Sequence, residues 1–183
     1  MPYYCYLNTD GGIDQTNLQL YSLEQAASNW NAIVEAVANH TLEGDGQLKE
    51  RLAFTLSCLG LSLSQLLGQV CPSSNSDKIP APDALLDTMF NRARIDRLTR
   101  NRLTRQFKDF LSYYDTVRHF GKNKQNAKYH KLDQLTLKKA EKFCSLVLEI
   151  WDVAIDLHKK NGDDDIEIES MSEIVEFNCV ALS

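Results

Sequence analysis

Between Thr136 and Asn161 the apolar residues fall into two adjoining stripes at helical spacing: Ala140, Phe143, Val147, Ile150, Ala154 and Leu157 in one, Cys144, Leu148, Trp151 and Ile155 in the other. Side chains that recur every three and four residues share one face of an α-helix. Two stripes side by side bury about half the circumference, which commits this segment to a core shared with other helices. A second broad face, formed by Leu48, Leu52, Leu56, Leu59, Leu63, Leu66 and Val70, makes the same demand and ends at Cys71-Pro72. The pattern predicts an all-α protein.

The remaining helices follow from weaker stripes and from caps. Ser22 and Gln25 fit a capping box ahead of Ala26, Trp30, Ile33 and Val37, so a helix is expected from 22 to about 39. Asp83 to Arg94 reads as a short helix presenting Leu85, Leu86, Met89 and Phe90. Asp96 is placed to cap a long helix carrying Leu103, Phe107, Phe110, Tyr114 and Val117, with Gly121 suited to end it. Thr136 caps the last. Residues 72–82, with three of the four prolines, and 122–134 are expected as loops. Short connections favour antiparallel neighbours, and the expectation is a single-domain up-and-down bundle of about five helices spanning 22–160. An irregular or hairpin segment, 1–21, would precede it and an acidic tail, 161–183, would follow. Ile166 and Ile168 alternate with acids there, so that tail is either solvated or paired with the N-terminal segment as a small sheet.

Composition bears on partners. At 183 residues with 43% hydrophobic and 25% charged residues, the chain has the make-up of one soluble domain. The net charge of −5 conceals an asymmetry, because residues 161–183 hold seven acids and no Lys or Arg, leaving the first 160 residues at +2. Arginines crowd 92–108 and lysines crowd 122–131. An anionic partner is therefore compatible with the low overall pI, since the local field decides. Met1 to Leu7 lacks the basic and apolar regions of a secretory signal, and the apolar run 52–70 carries too many polar groups for a lipid-facing span, so a cytoplasmic location without membrane contact is expected. The five cysteines are odd in number, widely spaced and without metal-ligand spacing; reduced structural thiols are expected, with no metal and no cofactor.

Chemistry concentrates in "YYDTVRHFGKNKQNAKYHKL", residues 113–132. Arg118 follows Tyr114 and Leu111 by one and two turns and is expected at the border of the apolar stripe, where a guanidinium needs an anion to hold. Asp115 or Glu141 would serve as a structural partner. His119, on the side shared with Asp115, and His130, beside Tyr129, titrate near neutrality and suit proton transfer. Lys122, Lys124 and Lys128 suit phosphate contacts. Each also has a plain alternative as a solvated helix end or soluble loop.

The helix order and the stretch "YDTVRHFG" resemble HEPN domains (higher eukaryotes and prokaryotes nucleotide-binding) over residues 22–160. That resemblance implies an all-α fold, a homodimer, and metal-independent endoribonuclease activity of the kind found in bacterial toxin–antitoxin and phage-defence systems, with RNA as substrate and a cognate antitoxin or defence-complex protein as partner. Arg118 matches the family arginine and His119 the polar residue after it. The family histidine, four to six residues further on, has no match; the next one, His130, follows eleven intervening residues. Either His130 takes that role across a longer loop, with Arg118, His119 and His130 catalytic and Asp115, Lys122, Lys124, Lys128 and Tyr129 binding substrate, or the chain is a catalytically silent dimerisation or interaction module for a partner protein or nucleotide.

Overall fold

A computed structural model describes residues 15–42, 44–71, 81–118, 130–162 and 168–180. Among them are six α-helices, α1 (Gln15–Ala38), α2 (Asp45–Val70), α3 (Pro82–Ala93), α4 (Arg97–Arg118), α5 (His130–Asp133) and α6 (Leu137–Lys160), and no strand. The helical bundle expected from the stripes is present. The small terminal sheet is not seen among the described residues, and the proposed turn residue Gly121 lies outside them.

The caps work as their chemistry dictates. The Asp96 carboxylate accepts from the backbone N–H groups of Leu98 (3.0 Å) and Thr99 (3.1 Å), two of the donors a helix start leaves unpaired. Hydrogen bonds from Thr99 hold this carboxyl below the usual Asp range. Thr136 does the same for α6, accepting from Lys139 N–H at 3.2 Å. Pro82 opens α3, where its missing N–H costs nothing.

Three boundaries differ from the sequence expectation. α1 starts at Gln15, seven residues before the Ser22 capping box, and Ser22 is buried inside it. The side chain of Gln19 donates to that of Gln69 near the end of α2, so a tertiary contact carries the helix past a local start signal. His130–Asp133, expected as loop, is a helical turn. The described part of the acidic tail is not solvated throughout, while Ile166 and residues 1–14, on which the expected terminal sheet rests, lie outside the described residues. Residues 168–180 pack on the bundle, with a 3-10 turn at Met171–Glu173 and Met171 and Val175 buried.

α2 holds the centre, touching α1, α3, α4, α5 and α6. Its long apolar run could cross a membrane by length and composition alone, but half of it is buried in this bundle. Its Ser62 accepts from the Trp151 indole (3.1 Å), and Asn29 donates to its Thr55 hydroxyl (2.6 Å). α1 runs antiparallel to it, as the pairs Gln19 with Gln69 and Asn29 with Arg51 require. α4 and α6 are also antiparallel, joined by Arg102–Glu149 (2.6 Å) at one end and Asp109–Lys139 (2.9 Å) nearer the other. The groove between α1 and α6 is bridged by residues 176–180: Trp30 and Asn31 of α1 bond Asn178 and Glu176, and Glu141 of α6 accepts from Val180 N–H.

Where α2 crosses α4, Gly60 lies under Tyr114. A Cβ at that position would overlap the tyrosine ring outright. Gly60→Ala is expected to lower stability by about 1–3 kcal/mol, the range for overpacking a well-filled contact. Urea denaturation of Gly60→Ala alone and combined with Tyr114→Ala checks it, since the second change should relieve the first.

Candidate functional site

The last two turns of α4 mix core and surface. Tyr113 and Thr116 are buried, Tyr114, Asp115 and Val117 half-buried, and Arg118 exposed. The Thr116 hydroxyl donates to the Ser112 carbonyl at 3.0 Å, so it is spent within the helix. Tyr113 packs against Phe143 of α6, ring centroids 5.5 Å apart. Over its face stand two ammonium groups, Lys131 Nζ at 5.2 Å and Lys139 Nζ at 4.8 Å from the ring centroid. An aromatic face attracts a cation through its quadrupole, worth about 0.5–1 kcal/mol at a partly exposed site. The hydrogen bond to Asp109, with the desolvation of the site opposing it, raises the Lys139 pKa and keeps that lysine charged.

α5 packs on α4. Its Asp133 pairs with Lys49 of α2 at 2.9 Å, tying the turn to the start of the central helix. The two ends of segment 119–129 are therefore held on neighbouring elements. Arg118 closes one side and His130 opens the other. His119, Lys122, Lys124, Lys128 and Tyr129 lie outside the described residues, as does the side chain of His130.

Arg118 differs from its expectation. It stands exposed on the final turn instead of at a desolvated core border, and among the described residues it has no ion pair. Asp115 does not bond it, and Glu141 is engaged by Val180 N–H at 2.8 Å. Among the described residues, an external anion would displace no ion pair of this guanidinium. Lys139, absent from the sequence expectation, joins this end of the bundle because the start of α6 lies against Tyr113. No local signal marked it, since Phe110 and Tyr113 both meet Phe143 of α6 and only the packing of the two helices brings Lys139 over the Tyr113 ring.

Three of the cysteines are set back by packing. Desolvation pushes the Cys144 thiol far above its ordinary value and also raises Cys58 and Cys71. The Cys71 thiol points at the Leu85 carbonyl, 3.6 Å away. Such thiols are poor nucleophiles. Among the described residues no three of His, Cys, Asp and Glu converge as metal ligands. No family model, curated protein or solved structure matches the chain.

Proposed function

We propose that this chain is a HEPN-like helical domain that binds RNA where α4 meets α5 and cleaves it by internal transesterification. The packing of α5 on α4 carries the reading. It brings Arg118, the last residue of α4, and the backbone of His130, the first of α5, to one end of the bundle near Lys131 and Lys139. In the proposed step the ribose 2′-oxygen attacks the adjacent phosphorus while His130 or His119 takes its proton. The bond from phosphorus to the 5′-oxygen breaks, and that oxygen leaves with a proton returned by the same histidine or taken from water. Arg118 stabilises the added negative charge on the phosphoryl oxygens as it grows. Lys122, Lys124 and Lys128 hold flanking phosphates.

Incubation of the full chain with a hairpin RNA and a single-stranded RNA, with and without chelator, tests the proposal. Fragments ending in 2′,3′-cyclic phosphate and 5′-hydroxyl, formed equally with chelator present, are expected. RNA left intact in every lane overturns it.

A second reading, a module that self-associates, has its own observation. Phe54 (51% exposed) and Leu61 (42% exposed) stand two turns apart on the outer face of α2, where large apolar side chains cost solvation. A homodimer through this face is expected to elute as a dimer in size exclusion with light scattering. Phe54→Ser with Leu61→Ser should shift it to monomer without lowering its melting temperature.

A further inference from the structure

The basic residues of α3 and α4 divide by face into engaged and free. Arg100 binds Asp87 and Asn91 of α3, and Arg102 holds Glu149 of α6 through both guanidinium nitrogens, at 3.2 and 2.6 Å. Arg92 donates to the Val70 carbonyl. These three fasten helices together. Arg97, Asn101, Arg105 and Lys108 instead recur at spacings of four, four and three, and all are exposed. They form one outward stripe, continued at its start by Arg94 in the turn before α4.

No described carboxylate neutralises the stripe. Asp87 and Glu149 are taken as above, Asp96 caps α4, and Asp109 pairs with Lys139. Arg94 adopts a left-handed backbone (φ 56°), a conformation that costs a residue with a Cβ on the order of 1 kcal/mol, at a cap position where glycine would fit freely. From Arg97 to Lys108 the stripe spans about 16 Å at 1.5 Å per residue. One nucleic-acid strand in a duplex presents a phosphate roughly every 3.4 Å along its axis. The stripe carries no exposed aromatic ring, as Phe107 and Phe110 point into the core. Bases of a splayed single strand would have nothing to stack on.

We infer that the outward face of α4, through Arg94, Arg97, Arg105 and Lys108, binds the phosphodiester backbone of an RNA duplex without reading its sequence. This rests on RNA being the substrate of the Arg118 end of the same helix. A stem lying along α4 would deliver its loop or end to that site.

Fluorescence anisotropy of the full chain with a labelled RNA hairpin, a single-stranded RNA and a DNA duplex of the same stem sequence, across a series of KCl concentrations, tests the inference. The hairpin should bind tightest. The variant Arg97→Gln/Arg105→Gln/Lys108→Gln, with unchanged circular dichroism and melting temperature, should bind it more weakly. Its slope of log affinity against log salt should fall by about 2–3, since each phosphate left without a cation removes roughly one unit. Lys142→Gln on α6 should leave the slope in place. Unchanged slope and affinity in the triple variant overturn the stripe, as does single-stranded RNA or the DNA duplex binding as tightly as the hairpin. Hairpin binding that depends on the stripe, with no cleavage by the unaltered chain, would leave the stripe standing and remove the nuclease.

Discussion

Trp30→Ala is expected to lower the unfolding free energy by about 3–5 kcal/mol, the range for truncating a buried aromatic to alanine. Trp30 is fully buried, and its indole N–H donates to the Asn178 carbonyl at 2.8 Å. The side chain therefore does two jobs. It fills the α1 face of the core, and it anchors the C-terminal segment that closes the groove between α1 and α6. Beside it, Asn31 donates to the Glu176 carbonyl (2.9 Å) and accepts from Asn178 N–H (2.8 Å), so its amide clamps both peptide groups that flank Phe177. Truncating Trp30 leaves a cavity and frees the strap at once. Domain stabilities run at about 5–15 kcal/mol, so the loss is a large share of the total. Trp30→Phe separates the two jobs, because it keeps most of the volume and removes only the N–H. Its cost should be about 0.5–1.5 kcal/mol, the net worth of one hydrogen bond. Urea midpoints measure both, and amide exchange at Asn178 and Val180 should quicken in both. A Trp30→Ala midpoint equal to that of the unaltered chain would mean the strap is not seated on α1.

The helices legible in the sequence were those whose signals are local. α2 ends, α3 and α4 begin, and α6 both begins and ends within a residue or two of Cys71-Pro72, Pro82, Asp96, Thr136 and Asn161, because a cap or a breaker acts on its own turn. The start of α1 was not legible, since Gln19 finds Gln69 fifty residues away. The strap was hidden for the same reason. Seven acids in 161–183 argue for solvation, yet the segment is held by groups far along the chain: Trp30, Asn31, Glu141, and Asp152, which accepts from Met171 N–H at 2.7 Å. Glu173 is used locally, accepting from Ser170 N–H (3.0 Å) in a capping box. At the candidate site, the sequence located Arg118 on the right helix but at a buried border. Its helical phase does point toward the core side, but Arg118 is exposed at the last described position of α4. Lys139 and Tyr113 became neighbours only through the packing of α6 on α4.

Arg118→Ala is expected to reduce RNA cleavage by about 10²–10³-fold, the loss seen when one preorganised donor to a developing oxyanion is removed. The exposure of Arg118 makes this a clean test. It has no ion pair among the described residues, so its removal should change stability by no more than about 0.5 kcal/mol, and a lost activity would not report lost folding. Arg118→Lys should fall between, because an ammonium keeps the charge but cannot offer two parallel N–H donors to one phosphate. His119→Ala and His130→Ala then decide which histidine serves. Positioned proton transfer contributes about 10²–10⁴-fold, so the serving histidine should match or exceed the arginine in effect and remove one limb of the pH–rate profile. The other should leave the profile intact. Loss from His130→Ala would establish that the longer loop returns the histidine to Arg118. Cleavage retained in Arg118→Ala would place the chemistry elsewhere and leave this end of the bundle as a basic surface.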